Sequence, residues 1–561
     1  MPATPDTRTP VLIVGSGLAG LTTAVMLAWR GVRPLLVERH ADTSKNPRAR
    51  GLNFRTMELL RVAGLEADLM AEGGDLKDFS IVVAETVTGR ELRTILPRGA
   101  WDTTHLSPAQ MTRAGQDRVE PILRRHAEAL GADIRYSTEL KGFELDELGV
   151  TTTLLDRRTG VESTVRADYL VAADGNRSPI RERLGIGRHG VGSLSHNMAM
   201  VFEADLEDVL QGRSLALYYL QNPNFTGAFI NTTEPNRALI SVEYDPEREK
   251  PSDFDTQRCI DLIRAAVGIA DLEVSVLEVM PWEMASRSAD RFVQGRVFLA
   301  GDAAHTMPPT GGLGGQTAIQ DGYDLAWKLA MVLHGQAGAD LLATYEPERK
   351  PVCEMTVSLQ TANYIERMRP DRDRNAVEEI PRSPNGATWG KDLQIQAAET
   401  DYLGVAFGYR YRSEAILQDV PDDGSRVENP EKPSGRPGTR GAHVAFEYKG
   451  KEVSSIDLIG RDFVLLTGPE GAAWARAGTT LAYRCGVPLS IYRIGADLLD
   501  INGKWAERYG VTAAGAVLLR PDGFIAWRAR TAASSALSTL REALARILFR
   551  SVEARQLEAT G

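Results

Sequence analysis

Three glycines at fixed spacing, in Gly15-Ser16-Gly17-Leu18-Ala19-Gly20, offer the chemistry of a phosphate cradle. Gly15 permits a tight turn, Gly17 lets a pyrophosphate approach the backbone, and Gly20 lets a helix pack on a strand. The N–H groups of Leu18 and Ala19 stand at the helix start, where unpaired donors and the positive dipole end suit a diphosphate. Glu38, followed by Arg39, is placed to accept hydrogen bonds from a ribose hydroxyl, and its charge disfavours a 2′-phosphate. The nucleotide expected here is therefore FAD or NAD rather than NADP. A second acid, Asp302, opens a loop rich in Gly and Pro that runs through Pro308, Pro309, Gly312, Gly314, Gly315 and Gln316. A long Gly/Pro loop without a ligand is unusual in a compact domain, so this segment too reads as a binding element. Asp174, before Gly175 and Ser178-Pro179, suits either a ligand contact or a plain helix N-terminus.

These residues need particular elements to hold them. Val11-Leu12-Ile13-Val14 is apolar and β-branched, as a central parallel strand is. Leu21 to Arg30 reads as a helix stopped by Gly31, and Val32 to Val37 as the strand that delivers Glu38. Strand, glycine turn, helix, strand and acid form one βαβ unit. Gly185 to Gly190 matches the same glycine pattern but comes after the polar helical segment Ser178 to Leu184, and is read as a loop. A further strand, Arg296 to Leu299, carries Asp302, and the helix behind the loop starts near Ile319.

The motifs together resemble the class A flavoprotein monooxygenases, the para-hydroxybenzoate hydroxylase-like family, over roughly the first 415 residues. The resemblance implies FAD as cofactor, NADPH or NADH as a transient co-substrate, and O2. Arg48 and Arg50, in Pro47-Arg48-Ala49-Arg50-Gly51, would contact the FAD beside a moving isoalloxazine; without the resemblance they read as a solvated pair. Gln116 would reach the ribityl chain or the isoalloxazine edge, and the backbone of Leu140, closing a strand from Asp133, would meet the adenine. Asp174 would help arrange FAD and nicotinamide, and Asp302 would bond the ribitol 3′-hydroxyl. Pro309 would lie against the reactive flavin edge, with Gly312, Gly314, Gly315 and Gln316 bringing backbone N–H groups to the pyrimidine ring. Gln316, Ala318, Gly322 and Asp324 depart from the family's usual Asn, Gly, Ala and Asn, which leaves flavin orientation open.

Alternating strands dominate 185–293, which the resemblance makes an inserted β-sheet binding an aromatic substrate. Tyr219, Phe229 and Trp282 are candidate pocket residues, with sheet core as the competing reading. No base stands out: Tyr219, Tyr218 and His189 qualify by type only, and His305 fits loop stabilisation better. Arg367 to Asn385 reads as a charged connection, and 421–441 as a linker. The C-terminal stretch, 442–561, resembles the thioredoxin-like C-terminal domain of phenol and polyketide hydroxylases. It has no CxxC, and the single Cys485 points to a structural or subunit-interface role.

The fold expected is α/β and α+β: a Rossmann-like FAD domain (1–184 and 294–420), the inserted sheet and the thioredoxin-like domain. The net charge of −10 and the lack of a basic stripe argue against nucleic acid. Val11 to Trp29 is better explained by strand, turn and helix than by a membrane anchor. Three unpaired cysteines suggest a reducing, cytoplasmic setting, and eight histidines without HxxxH or HExxH spacing argue against a metal. The activity implied by the resemblance is NAD(P)H- and O2-dependent hydroxylation of a polycyclic, polyketide-type or phenolic substrate. Baeyer–Villiger insertion or rearrangement, and a non-catalytic nucleotide-binding scaffold, are the alternatives; a homodimer is left open.

Overall fold

The computed structural model describes residues 6–45, 50–76, 78–97, 102–210, 215–222, 225–232, 234, 236–368 and 402–553. Arg48 and the 369–385 part of the charged connection lie outside them.

Four short apolar strands set the geometry of the N-terminal part. Thr7–Val14 pairs in parallel with Leu35–Val37 on one side and Glu162–Ala172 on the other, and the latter pairs in parallel with Val297–Leu299. Leu35–Val37, Val297–Leu299 and the C-terminal halves of the other two, Val11 to Ile13 and Tyr169 to Ala172, are buried on both faces, as the helix-covered strands of a parallel sheet are. The register aligns their carboxyl ends: Val14 lies opposite both Val37 and Ala172, and Ala172 opposite Leu299. Asp133–Arg135 extends the sheet beyond Leu35–Val37. It is separate from Thr138–Asp146, which pairs antiparallel with Gly149–Asp156. The expected single strand from Asp133 to Leu140 is thus two, broken where Ser137 takes φ +54°.

A second, eight-stranded sheet is built on Arg188–Glu203, Ala216–Asn222, Phe225–Asn231, Arg237–Tyr244 and Ser275–Ala289. It recruits segments from outside 185–293: Ser80–Ala84 pairs with Ala216–Asn222, Glu91–Leu96 pairs with Ser80–Ala84, and His305–Thr306 joins the far edge. Arg188, His189 and Gly190 belong to a strand, not to a loop. The irregular pairing there passes through Gly190 and Gly192, whose φ of +130° and +87° accommodate it. One face of this sheet packs on the helix Thr256–Val267, capped by the Asp255 carboxylate on the Arg258 N–H (2.8 Å) and stopped by Gly268 at φ +90°. The other face meets the helix Tyr345–Met368.

The C-terminal part carries a four-stranded mixed sheet with Phe463–Thr467 and Ala516–Leu519 at its centre. The helices Ala472–Cys485 and Ala536–Ile547 share its core, into which Trp327 and Met331 of the N-terminal part also pack. The connection 421–441 is no free tether: Gly435 lies so close to Tyr509 that a Cβ would sit 2.2 Å from its carbonyl. Among the described residues, no helix is long and apolar enough to cross a membrane.

Candidate functional site

The four aligned strand ends deliver Gly15, Glu38, Ala173-Asp174 and Ala300-Gly301-Asp302 to one edge, where ligands of open α/β sheets bind. Gly15 takes φ +105°, and a Cβ there would lie 2.2 Å from the Ala173 carbonyl. Gly20 faces the Gly15 carbonyl, 2.0 Å from where its own Cβ would be. Open space lies in front of Gly17, the N-cap of the helix Leu18–Trp29, and this N-terminus has neither a side-chain cap nor an acid in its first turn. The donors of Leu18 and Ala19 are left for an external anion.

A second uncapped N-terminus, that of the helix Gly314–Leu333, stands beside the first. Gly301 fits between them: a Cβ on it would meet Ala19 at 2.9 Å and Ala318 at 3.4 Å. Asp302, exposed, comes next in the chain. The Gly/Pro loop then presents Pro309, exposed, and turns back through the Gly312 N–H to the Pro309 carbonyl (3.2 Å). Gly314 and Gly315 begin the helix. The side chain of Gln316 is committed to the protein: its Oε1 accepts from the Asn53 N–H (3.2 Å), and its Nε2 donates to the Gly51 carbonyl (2.9 Å). Its backbone N–H, in the first helical turn, is the group left to face a ligand.

The remaining positions divide. Glu38 accepts from the Ser16 N–H (2.9 Å) and from His40 through its N–H (2.9 Å) and Nδ1 (2.6 Å). Those hydrogen bonds hold its pKa below the usual value although burial pushes it up. Arg39 is exposed beside it, and Leu140 is half-buried against the first core. Asp174 caps rather than projects: it accepts from the Ser178 hydroxyl (2.6 Å) and the Ile180 N–H (3.2 Å), and burial raises its pKa. Arg50 and Gln116 are neighbours, because Arg50–Leu52 and Thr112–Gly115 form a two-stranded ribbon with Arg50 opposite Gly115. Gln116 donates to Glu120 (2.6 Å). The Arg50 guanidinium has its Nε and Nη2 buried without a partner among the described residues, and burial lowers its pKa to about 10 despite Asp117 and Glu234. A buried cation with idle donors, two bare helix N-termini and a ribbon of glycine backbone fit a dinucleotide diphosphate with a flat ring beyond it.

The second sheet is tied to the start of the Pro309 loop, where His305–Thr306 pairs with Ser275–Ala289. Alternation along Ala216–Asn222 sends Tyr219 to this face, with Trp282, Met284 and Tyr364, and sends Tyr218 to the opposite one. Trp282 is half-buried and donates to the Ser241 hydroxyl (3.1 Å). Phe229 is corrected: it is fully buried on the far face among Phe202 and Tyr218, and is sheet core. Tyr218 fails as a base for the same reason. His189 fails because Asp290 (2.7 Å) and Glu354 (3.0 Å) hold both ring nitrogens and raise its pKa. Burial keeps Tyr219 protonated, which removes it as a base. His305 is buried 2.7 Å from Asp321 and holds the loop.

Sequence reasoning misses Arg367. Its charged neighbours group it with the connection, but it lies in the last turn of the helix Tyr345–Met368. There it donates to the Thr310 carbonyl, and its guanidinium sits 5.9 Å from the Tyr219 ring centre. The same helix accepts the Thr310 hydroxyl at the Gln360 carbonyl (2.6 Å) and places Tyr364 on Glu243 (2.9 Å). A cation thus joins the Pro309 loop to the aromatic cluster of the second sheet. The one signal in the sequence is that Arg367 continues the helical period after Tyr364.

Residues 8–360 match the FAD binding domain family, and residues 434–550 the C-terminal domain of aromatic-ring hydroxylases. The chain is 44% identical to the aklavinone 12-hydroxylase of Streptomyces purpurascens, over 97% of this chain and all of that protein. It is 40% identical to a 4-methyl-5-nitrocatechol 5-monooxygenase of a Burkholderia species, over 97% and 98% of the two chains. A solved structure of aklavinone-11 hydroxylase with FAD and aklavinone superposes with a TM-score of 0.88 at 43% identity, covering 98% of this chain and 100% of that one.

Proposed function

The chain belongs to the FAD-dependent aromatic-ring hydroxylases, and on that premise we propose that it hydroxylates a polycyclic phenol of the aromatic polyketide type, using NAD(P)H and O2. The observation that carries this reading is that Arg367 joins the Thr310 carbonyl, next to Pro309, to the Tyr219 ring, in the cluster on which Trp282 packs. With Pro309 against the flavin, that juxtaposition would bring a flavin edge, a cation and an aromatic surface together. The relatives support it: an aklavinone 12-hydroxylase matches over both domains, and a related hydroxylase was solved with aklavinone bound.

FAD, when bound, would supply the redox chemistry: hydride acceptance from the nicotinamide, activation of O2, and delivery of one oxygen atom to the ring with the other released as water. The protein's part is binding, placement and charge. Leu18, Ala19 and Arg50 would hold the diphosphate, Asp302 the ribityl chain, and the first-turn amides of Gly314, Gly315 and Gln316 the pyrimidine ring. Arg48 is assigned to the same diphosphate by the family pattern. Tyr219 and Trp282 would flank a flat substrate, Trp282 being fixed by its bond to Ser241. Arg367 would stabilise the phenolate that makes the ring nucleophilic, so that no strong base is required. Three buried free cysteines support a reducing, cytoplasmic setting. The net charge of −10 supports a reading without a nucleic-acid partner.

Incubation of the FAD-loaded protein with NADH or NADPH and a panel of polycyclic phenols, with 4-methyl-5-nitrocatechol included, tests it. Expected is substrate-stimulated NAD(P)H oxidation yielding a product one oxygen heavier with its carbon skeleton intact by NMR. A lactone of the same mass would replace hydroxylation by Baeyer–Villiger insertion. Turnover on the nitrocatechol alone would overturn the polycyclic assignment, and a yellow protein that never oxidises NAD(P)H would overturn the enzyme reading.

A further inference from the structure

We propose that the C-terminal domain is a positioning element of the dinucleotide site, acting through the loop Arg520–Phe524 and a buried relay that ends on the Gly301–His305 turn; this rests on the FAD reading above. The relay begins at Asp321, in the helix Gly314–Leu333. Its Oδ2 accepts from the Gly301 N–H (3.0 Å) and His305 Nε2 (2.7 Å), so one carboxylate oxygen fixes both ends of the turn that carries Asp302. Its Oδ1 accepts from Arg349 Nε (2.8 Å). Arg349 donates onward through Nη1 to the Tyr411 hydroxyl (3.0 Å). The Tyr411 ring stacks on Phe524 of the C-terminal domain at 4.1 Å between centroids and 26° between planes. Asp321, Arg349, Tyr411 and Phe524 are all buried.

The loop is itself fixed to the same two helices. Arg520, fully buried, grips Glu348 with both terminal nitrogens (2.6 and 2.7 Å), one residue before Arg349. Glu348 also accepts from Lys328 (2.7 Å), which bonds Asp324 (2.7 Å), one turn beyond Asp321. The Pro521 carbonyl accepts from Tyr323 (3.0 Å), and the Asp522 carbonyl from Arg55 (2.8 Å). Two groups of ligating atoms lie along this path, His305, Asp321 and Cys353, and Asp324, Glu348 and Asp522. Arg349 neutralises the first, and Lys328 with Arg520 the second, so neither calls for a metal.

A packed apolar interface would join two domains at lower desolvation cost than this array of ions. Bidentate and charge-assisted bonds add directional constraint, and here the path from Phe524 through Tyr411, Arg349 and Asp321 ends on the turn that carries Asp302. Positioning and simple adhesion are separable by experiment.

Full-length Tyr411→Phe removes only the hydroxyl that receives Arg349, while Phe524→Leu keeps apolar volume but removes the stack. FAD affinity is measured by quenching of FAD fluorescence, the setting of the bound flavin by its visible circular dichroism, and fold by thermal unfolding of the apoprotein. The expected result is FAD binding weakened about tenfold in each variant and a changed visible spectrum, with less than additive loss in the double variant. Variants that unfold at lower temperature but bind FAD with wild-type affinity and spectrum would overturn the relay. A wild-type chain that fails to bind FAD would overturn the cofactor reading, and this proposal with it.

Discussion

Gly15 and Arg367 mark the two kinds of residue that carry this site, one fixed by backbone geometry and one by long-range packing. At Gly15 the φ of +105° and the Ala173 carbonyl leave no room for a side chain. Gly15→Ala is expected to abolish measurable FAD binding and to destabilise the fold by about 1–3 kcal/mol, read by FAD fluorescence titration and thermal melting; normal binding would refute the turn's assignment. Such a position is legible in sequence because only glycine tolerates it. Arg367 is not legible that way, since an arginine ending a helix is usually solvated and its contacts to Thr310 and Tyr219 come from distant segments. Arg367→Met should leave FAD affinity intact and lower kcat at neutral pH by roughly ten- to a hundredfold, the worth of a hydrogen bond to a charged group. Its rate should recover as pH rises, because the phenol then ionises without help. A flat profile parallel to wild type would show that Arg367 does not act on the phenolate. Strand alternation likewise separates Tyr219 from Phe229: both are aromatic strand residues, and only the observed pairing shows that they face opposite sides.

Among the elements, the helix Tyr345–Met368 has the most consequences, because it touches the Pro309 loop, the second sheet and the C-terminal loop. Its tie to the sheet runs through His189, whose imidazole lies between Asp290 and Glu354. The two carboxylates overcome burial and raise the folded-state pKa of His189 above 6.5. A raised folded pKa means the contribution is fully present below the unfolded value, near 6.5, and is lost as pH climbs through the folded one. Melting temperature should therefore fall over the interval above pH 6.5, and His189→Gln should flatten part of that decline; an unchanged slope would remove His189 as its source. At this scale the parallel strands and the glycine turn were legible, because apolar runs and GxGxxG are local signals. Ser80–Ala84 was missed, since five buried residues carry no period that separates strand from helix. In the 421–441 segment, read as a linker from its glycines and prolines, the packing of Gly435, where Tyr509 leaves no space for a Cβ, has no signal in the sequence.

Across the whole molecule, the question is why two domains should meet through charges that neither could bury alone. Lys328, Glu348 and Arg520 are fully buried, and Arg55, Glu58 and Asp522 nearly so. Glu58 receives Arg440 from the connection and Arg55 from its own helix, while Ser107 donates to its second oxygen (2.6 Å). Each ion has lost its water and depends on the partners around it, and two of these bonds, Arg520 to Glu348 and Arg55 to the Asp522 carbonyl, join the two domains. No composition or periodicity reveals such a network, because its members are spread from Arg55 to Asp522 and every one reads as an ordinary surface charge. Removing one partner weakens its neighbours, so Glu348→Gln, which takes away the carboxylate that Arg520 and Lys328 share and leaves them to Asp522 and Asp324, should cost about 1–3 kcal/mol. Neither domain can separate without exposing half a network, so calorimetry of the intact chain should show one unfolding transition rather than two. That transition should also respond weakly to salt, since a buried pair is screened far less than a surface one. Two resolved transitions, or a Glu348→Gln protein that melts with the wild type, would mean the domains fold independently and the ion network only decorates their contact.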